Sequence, residues 1–205
     1  MIEREDRDGV VTLRLAHGKA NALDVELCQA IERELAGTLA AEARAVVLTG
    51  TGTIFSAGVD LFRLLDEGAD YVDRFLAALG GAFRALFEFP LPVVAATNGH
   101  AIAGGCILVQ ACDYRLMARG SGRIGVTELL VGVPFPALAL EITRFALPAN
   151  RVQEVVLTAG TWKADEAFER GLVDETVEPD ALEARAGEIA ARLAAIPATA
   201  YRVTK

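Results

Sequence analysis

The sequence predicts an α/β fold with a parallel sheet, and the order and character of its segments carry that prediction. Strand-like and helix-like segments alternate through the first two-thirds of the 205 residues, which is the order expected when strands run parallel. The runs 45–49 and 93–97 are apolar at consecutive positions, as in strands covered on both faces. With 53% hydrophobic residues, the chain suits one globular domain with a sizeable core.

The first half of the chain supplies clear strand and helix signals in sequence. Val10–Leu15 is short and β-branched, which indicates a strand, and Asp24 is placed to cap the helix that follows it. The predicted elements of this half are a strand at 10–15, a helix from Asp24 to about Thr38, a strand at 45–49, a helical segment after 55–61 and a helix over 71–87.

The second half continues the alternation, with proline and glycine marking the breaks. Asn98-Gly99 closes a strand, and Pro134 and Pro136 interrupt the chain before a helix. Gly171 is placed to end a short helix whose start carries Glu166. The predicted elements are strands at 93–97, 114–117 and 123–125, a short helix from 103 to about 112, and helices over 138–145 and 180–195.

Charge and cysteine content exclude several classes of function. Asp plus Glu number 28 and Lys plus Arg 20, so the net charge is −8. Such an acidic chain is a poor candidate for binding nucleic acid or an anionic membrane, which requires a basic face, and neither partner is expected. Three cysteines cannot all pair, which favours free thiols in a reducing compartment and predicts a cytoplasmic location.

The sequence predicts no signal peptide, no membrane span and no metal site. The charged N-terminus has no apolar segment of the kind found in signal peptides. The stretch 89–112 has no Asp, Glu, Lys or Arg, but prolines, glycines and polar residues interrupt it, so no membrane span is predicted. His17 and His100, the only histidines, have no cysteine or acid at a metal-ligand spacing, so no metal site is predicted.

Two loops of small residues follow predicted strands and precede predicted helices. They are 56–60, with the sequence Ser-Ala-Gly-Val-Asp, and 103–105, with the sequence Ala-Gly-Gly. In open α/β sheets, ligands bind beyond the carboxyl ends of the strands. Small residues at a helix start leave backbone N–H groups free and let a ligand approach them closely. Two such loops facing each other would supply two donors to one oxyanion.

Six motifs occur in an order that resembles the crotonase superfamily, the enoyl-CoA hydratases and isomerases. Together they cover nearly the whole chain. They are Lys19-Ala-Asn-Ala-Leu23, Phe55-Ser-Ala-Gly-Val-Asp-Leu61, Asn98-Gly-His-Ala-Ile-Ala-Gly-Gly-Cys106, Ala111-Cys-Asp-Tyr-Arg115, Ile124-Gly-Val-Thr-Glu-Leu-Leu-Val-Gly132 and Ala167-Phe-Glu-Arg-Gly-Leu-Val-Asp174. In pattern the chain is most similar to the monofunctional Δ3,Δ2-enoyl-CoA isomerases.

The resemblance implies a particular form of the α/β fold. That form is a crotonase-like spiral of strand–strand–helix turns with a C-terminal helical extension. It implies a core domain over residues 1–195, with residues 196–205 as the start of a C-terminal helical segment that is shortened here. Relatives form trimers or dimers of trimers, so a homotrimer or hexamer is expected.

The resemblance also implies which residues bind the thioester. The backbone N–H groups of Val59 and Gly104 match the family's oxyanion hole. Coenzyme A is expected as part of the acyl-CoA substrate, with no tightly bound cofactor. The matching coenzyme A groove comprises Lys19, Ala20, Leu23, Ser56, Ala57, Gly58, Val59, Asp60, Leu61 and Gly104.

One acid matches the family's catalytic glutamates. Hydratases carry two, and the first position holds Ile107 here while the second holds Glu128. A position where some relatives place a further acid holds Pro136. Hydration needs groups that activate water and protonate carbon, whereas shifting a double bond needs one base. The pattern therefore favours conversion of 3-enoyl-CoA to 2-enoyl-CoA through an enolate, with Glu128 as acid and base.

Two alternatives remain open at the level of sequence. The first is a hydratase, or another activity of the family, that uses a carboxylate from elsewhere, such as Glu141. The second is a catalytically idle protein that binds acyl-CoA. Three further sets of assignments follow from residue type alone. They are Lys19, Arg63 and Lys205 as candidates for a basic patch at the coenzyme A phosphates, Leu64, Phe75, Leu79, Ile107 and Phe135 as candidates for the acyl pocket, with core packing as the alternative role of each, and Asp60 as an acceptor of backbone N–H groups that fixes its loop.

Overall fold

The computed structural model describes residues 1–205, which form two sheets and nine helices. The strands are β1 (Ile2–Arg7), β2 (Val10–Leu15), β3 (Ala45–Gly50), β4 (Ile54–Ser56), β5 (Val93–Thr97), β6 (His100–Ile102), β7 (Tyr114–Ala118), β8 (Ile124–Gly125) and β9 (Glu175–Val177). The helices are α1 (Val25–Ala40), α2 (Leu61–Glu67), α3 (Ala69–Phe87), α4 (Gly104–Gln110), α5 (Ala137–Ala146), α6 (Val152–Leu157), α7 (Ala164–Glu169), α8 (Leu182–Ala194) and α9 (Ala198–Thr204). Single 3₁₀ turns occur at Glu128–Val131 and Pro179–Ala181.

Each turn of the chain adds one strand to each sheet. The large sheet has the order β1-β2-β3-β5-β7-β9, and the small sheet has the order β4-β6-β8. Thus β3 is followed by β4, β5 by β6 and β7 by β8, and a helix follows each pair. All pairings are parallel except that of β1 with β2. The predicted α/β class and the spiral of strand–strand–helix turns are confirmed.

Burial explains why the central strands are apolar at consecutive positions. Every residue of β3 and β5 is buried, because helices cover both faces of the large sheet. One face carries the main core, which includes Leu48 and Phe75. The other face is covered by α8, whose Leu182, Ala186 and Ile189 form a second apolar cluster with the sheet. Side chains along β3 therefore point alternately into the main core and into the cluster under α8.

The local start and stop signals act as the sequence predicts. The Asp24 carboxylate accepts a hydrogen bond from the Leu27 N–H at 2.7 Å and so caps α1. The Glu166 carboxylate accepts one from the Lys163 N–H at 3.0 Å at the start of α7. Gly171 follows α7 with a φ of +76°, a conformation that glycine adopts without strain.

Several elements have no clear signal in the sequence. The charged segment 2–7 forms β1, an edge strand that pairs with β2 through its backbone, and its residues 3–7 are exposed. Charges on an edge strand discourage pairing with another chain. The strands β4, β6 and β9 have three residues each, too few to show a periodic pattern. Helix α9 occupies Ala198–Thr204, after Pro197. None of the helices combines the length and the apolar character needed to cross a bilayer.

Candidate active site

The two loops of small residues lie against each other at the edge of the small sheet. Gly58 has a φ of +83°, and a Cβ atom there would lie 2.6 Å from the Ile102 carbonyl oxygen. A Cβ atom on Gly105 would lie 2.4 Å from the Ser56 carbonyl oxygen. Both contacts are closer than carbon and oxygen atoms normally approach, so only glycine fits at either position. The small residues therefore allow the close approach that the sequence predicts for these loops.

The backbone N–H groups of Val59 and Gly104 have no hydrogen-bond acceptor within the protein. Gly104 is the first residue of α4, where N–H groups have no partner inside the helix. It follows Ala103, a non-glycine residue with a φ of +51° and a ψ of −124°. Such a conformation costs free energy and is often found at functional sites. Both free N–H groups belong to residues that line one cavity.

This cavity has a volume of about 160 Å³ and an almost entirely apolar wall. Phe75 and Leu79 of α3 are buried in the wall, and Leu61 and Leu64 of α2 contribute from the neighbouring helix. The remaining residues of the wall include Leu76, Phe83, Ala103, Ile107, Val131, Val133, Pro136 and Ala139. An apolar cavity with a few convergent polar groups is the usual form of a small-molecule site.

Glu128 is the only titratable side chain that lines this cavity. It is the first residue of the 3₁₀ turn Glu128–Val131, and its Oε2 atom is buried without a hydrogen-bond partner in the protein. Burial raises the pKa of the Glu128 carboxyl above its usual value, and the backbone N–H groups of Glu128 and Thr127 offset only part of this effect. The raised pKa makes this carboxylate a stronger base than a glutamate in water, as a group that accepts and returns a proton requires.

The structure also shows where a second catalytic acid could lie, at the two positions where relatives carry one and at Glu141. Ile107 lies in the cavity wall with 1% of its surface exposed, and Pro136 lines the same cavity. Glu141 lies on the solvent side of α5, where its side chain is 67% exposed and forms an ion pair with Arg144 at 3.2 Å. It does not line the cavity. The cavity therefore contains one carboxylate, not two.

The two segments assigned to the coenzyme A groove are joined through their backbones. The Leu23 N–H donates to the Gly58 carbonyl at 2.7 Å, and the Asp60 N–H donates to the Leu23 carbonyl at 3.0 Å. The Ala57 N–H donates to the Ala20 carbonyl at 2.9 Å. These bonds align residues 19–23 with residues 56–61 along one edge of the cavity. Lys19 and Ala57 are exposed there, and Leu23 is buried.

Ser56 and Asp60 shape their loop through hydrogen bonds to the backbone. The Ser56 hydroxyl is fully buried, donates to the Asn21 carbonyl at 2.7 Å and accepts from the Gly58 N–H at 3.2 Å. The Asp60 carboxylate accepts from the Arg63 N–H at 3.1 Å and caps α2. As predicted, Asp60 accepts a backbone N–H group, and the donor belongs to the first turn of α2. Because the side chain of Ser56 is bonded within the protein and has no exposed surface, it is not available to a ligand.

The structure bears on three of the candidates named from residue type. The Arg63 guanidinium is held by the carboxylates of Glu26 and Glu67, and Lys205 forms an ion pair with Asp113 at 2.9 Å. Their positive charges are thus already matched, unlike that of Lys19, which forms no ion pair with a carboxylate. Phe135 packs against the core but does not line the cavity, whereas Leu64, Phe75, Leu79 and Ile107 do.

The remaining reactive side chains have no catalytic arrangement. Cys106 is fully buried, and burial raises the pKa of its thiol, which disfavours the nucleophilic thiolate. The Nε2 atom of His17 lies 2.7 Å from the Asp24 carboxylate, and neither residue lines the cavity. The sequence alone did not indicate this pair, because its residues are seven positions apart in a loop. It also did not indicate that Leu76, Phe83 and Val131 line the cavity.

Comparison with known proteins gives a consistent match over nearly the full chain. A family model described as enoyl-CoA hydratase/isomerase matches residues 5–205. A probable enoyl-CoA hydratase of Rhizobium meliloti is 31% identical over 207 residues, covering 100% of this chain and 79% of the relative. The mitochondrial enoyl-CoA delta isomerase 1 of Rattus norvegicus is 30% identical, covering 100% of this chain and 72% of the relative.

Solved structures show the same architecture. The crystal structure of a probable enoyl-CoA hydratase from Mycobacterium tuberculosis superposes with a TM-score of 0.94 at 30% identity. The match covers 99% of this chain and 86% of that structure. Names of hydratases and of isomerases both occur among the similar proteins, so the names do not distinguish between the two reactions.

Proposed function

Because the chain belongs to the enoyl-CoA hydratase/isomerase family, we propose that it acts on an acyl-CoA thioester and converts a 3-enoyl-CoA to a 2-enoyl-CoA. The observation that carries this choice is the single carboxylate, Glu128, in a cavity lined by two residues with free backbone N–H groups. An isomerase needs one acid–base group, and this cavity supplies one.

The proposed reaction moves one proton and one double bond. The Glu128 carboxylate removes a proton from C2, and the C3–C4 double bond becomes part of a dienolate. The N–H groups of Val59 and Gly104 donate to the thioester oxygen as its negative charge develops. The protonated Glu128 then returns the proton to C4, which leaves a double bond between C2 and C3. Substrate and product have the same mass, and no co-reactant is required.

The electrostatics of the cavity support both halves of this reaction. Burial raises the pKa of Glu128, which makes the carboxylate a stronger base than a glutamate in water. The oxyanion donors are backbone groups of folded loops, so they need no reorganisation when charge develops. Apolar walls from Ile107 and Phe75 keep water away from the dienolate.

A hydratase is the main competing activity, and the position of the acids favours the isomerase. Hydration requires a group that orients and activates water in addition to the group that protonates carbon. Ile107 occupies the position where a second carboxylate is expected, and Glu141 points to solvent beside Arg144. An idle acyl-CoA-binding protein is the other alternative. The buried, unpartnered Oε2 atom of Glu128 favours an active site over a merely structural glutamate.

We further propose that the coenzyme A moiety lies along the edge formed by residues 19–23 and 56–61. The residues proposed to form this groove are Lys19, Ala20, Leu23, Ser56, Ala57, Gly58, Val59, Asp60, Leu61 and Gly104, among which the buried Ser56 shapes the loop and does not touch the ligand. The backbone bonds that join these segments support a preformed groove, and Lys19 provides an exposed positive charge beside it. The coenzyme belongs to the substrate, and we propose no separate cofactor.

We also propose that the protein assembles as a homotrimer or a dimer of trimers in the cytoplasm. Large apolar side chains such as Phe62 and Leu65 of α2 are more than 80% exposed, which supports burial against another copy. All three cysteines are free thiols, in keeping with a reducing compartment. Light scattering at micromolar concentration tests the assembly, and a monomer would contradict it.

The experiment that separates the activities uses two substrates. The protein is incubated with a 3-enoyl-CoA and, separately, with a 2-enoyl-CoA, and products are followed by mass and by absorbance of the conjugated thioester. We expect the first to become a 2-enoyl-CoA without a change in mass. Addition of one water to the second would indicate a hydratase instead. Coenzyme A binding without either reaction would indicate an idle family member.

A further inference from the structure

Helix α2 lies beside the cavity but contributes no buried residue to the core. It begins directly after Val59 and Asp60, and its Leu61 and Leu64 line the cavity. A seven-residue helix is not stable by itself in water. Its position relative to the rest of the protein therefore depends on the few side chains that reach other elements.

Leu64 packs against the core, and Arg63 supplies the ion pairs of this attachment. Its Nη1 and Nη2 atoms donate to the two carboxylate oxygens of Glu26 in α1, at 2.6 and 2.9 Å. Nη1 also donates to the Asp24 carboxylate at 3.3 Å, and Nε donates to Glu67 at 2.6 Å. The guanidinium carbon lies 4.7 Å from the centroid of the Tyr71 ring in α3. One side chain thus joins α2 to the first turns of α1 and α3.

The ion pair of Arg63 with Asp24 also reaches the chain segment that holds Val59 in place. Asp24 follows Leu23, whose N–H donates to the Gly58 carbonyl and whose carbonyl accepts from the Asp60 N–H. These two hydrogen bonds lie on either side of Val59, and the N–H of Val59 itself remains free. Because α2 begins directly after Asp60, its position relative to the start of α1 acts on this segment.

We propose that Arg63 is a positioning residue, whose ion pairs with Glu26 and Asp24 hold α2 in place and so direct the Val59 N–H into the cavity. This inference rests on the proposed function, because it takes the Val59 N–H as a donor to the thioester oxygen. It differs from a role in binding coenzyme A phosphates. The Nε, Nη1 and Nη2 atoms of Arg63 all donate to carboxylates already.

Two variants break the ion pair from opposite sides. Arg63→Met removes the guanidinium, and Glu26→Gln weakens its main partner, which does not line the cavity. We expect each to lower kcat on a 3-enoyl-CoA by about tenfold or more, because small displacements of a catalytic donor have large effects. We expect KM to stay within about twofold in both, since the lost interaction is made in the transition state. Arg63→Lys keeps the charge without the two-pronged geometry and should lie between Arg63→Met and the wild type.

Arg185→Met is the matched control. Arg185 binds Glu175 through two donors, at 2.8 and 3.2 Å, and Glu188 at 2.9 Å, but it lies on α8, across the large sheet from the cavity. We expect this variant to keep the wild-type kcat. Thermal unfolding of all variants checks that each is folded under the conditions of the assay.

A readout that does not depend on turnover completes the test. Hydrogen exchange of the amides in Leu61–Glu67 should become faster in Arg63→Met and Glu26→Gln but not in Arg185→Met. Acetoacetyl-CoA, which forms an enolate that absorbs in the near ultraviolet, should bind to these two variants with less enolate than in the wild type. Free coenzyme A should bind all proteins equally.

The outcomes separate this inference from the proposed function. A raised KM at unchanged kcat in Arg63→Met, with Glu26→Gln equal to the wild type, would assign Arg63 to coenzyme A binding and overturn the inference. Unchanged kcat and unchanged α2 exchange in both variants would also overturn it. If the wild type does not convert 3-enoyl-CoA, the proposed function fails. Exchange in α2 then still decides whether Arg63 holds the helix.

Discussion

Gly58 and Ile102 touch so closely that a Cβ atom on Gly58 would lie 2.6 Å from the Ile102 carbonyl oxygen. This contact brings the loop of Val59 against the loop of Gly104, so that both residues line one cavity. The glycine has a φ of +83°, which other residues adopt at a cost. The relative position of the two proposed oxyanion donors therefore depends on the absence of a side chain at residue 58.

Gly58→Ala tests the role of this contact. The added methyl group must push the two loops apart, and the positive φ adds backbone strain. We expect kcat to fall by about a hundredfold, as when one oxyanion donor is lost, and stability to fall by about 1–3 kcal/mol. Gly52→Ala is the matched control, because Gly52 has a φ of +58° and no atom within 4 Å of an added Cβ. It should cost about 1–2 kcal/mol of stability and leave kcat unchanged. Equal kcat in Gly58→Ala and the wild type would exclude the contact from catalysis.

Glu128→Gln tests the single acid–base group. The amide retains the shape of the side chain but neither accepts nor returns a proton. We expect kcat on a 3-enoyl-CoA to fall by about 10²- to 10⁴-fold, the usual contribution of general acid–base catalysis. Glu128→Ala should lose turnover in the same way, and coenzyme A affinity measured by calorimetry should be nearly unchanged in both. Glu141→Gln should keep full activity, because Glu141 is exposed and outside the cavity. Retained activity in the Glu128 variants would remove Glu128 from the mechanism.

The pH dependence of activity follows from the raised pKa of Glu128. Only the ionised carboxylate can remove the C2 proton, so kcat/KM should fall as the pH drops through that pKa. The midpoint should lie above the ordinary glutamate value of about 4.3. A profile measured from pH 4 to pH 8 checks this. A midpoint at the ordinary value would contradict a buried base.

The pH dependence of stability has a definite sign. The pKa of Glu128 is higher in the folded than in the unfolded protein, so the ionised carboxylate destabilises the fold above the folded-state pKa. Below the unfolded-state pKa both states are protonated and the penalty disappears. Glu128→Gln should therefore be more stable than the wild type at pH 7, and this difference should shrink toward pH 4. Urea unfolding at the two pH values measures it, and a difference that grows at pH 4 would contradict the assignment.

Breaking the ion pair between Arg115 and Asp174 should cost more stability than breaking an exposed ion pair. Arg115 is 8% exposed and donates to both carboxylate oxygens of Asp174, at 2.9 and 2.7 Å. Asp174→Ala leaves a buried guanidinium without its partner, so we expect a loss of about 3 kcal/mol of stability. Glu141→Gln, which breaks the exposed pair with Arg144, should change stability by less than about 0.5 kcal/mol. Similar losses in both variants would show that burial does not decide the strength of these pairs.

Much of the fold is readable in the sequence because local signals agree with the tertiary structure. The apolar runs at 45–49 and 93–97 form central strands, since short runs of consecutive apolar residues bounded by turn residues are typical of strands buried on both faces. Asp24 and Gly171 mark a helix start and a helix end through their own hydrogen bonds and backbone conformation. By contrast, the segment 2–7 forms a strand by pairing with β2, although its side chains show no strand pattern.

The candidate site, like the fold, could be predicted from the sequence only in part. By itself, the sequence determined the order of the elements, the two loops of small residues, and a pattern with Glu128 retained and Ile107 in place of an acid. Only the tertiary structure decided that Glu141 points to solvent, that Arg63 binds carboxylates, and that the N–H groups of Val59 and Gly104 stay free beside one cavity. The physical reason is range: periodicity and capping act within a few residues, whereas ion pairs, burial and cavity walls join residues far apart in the chain.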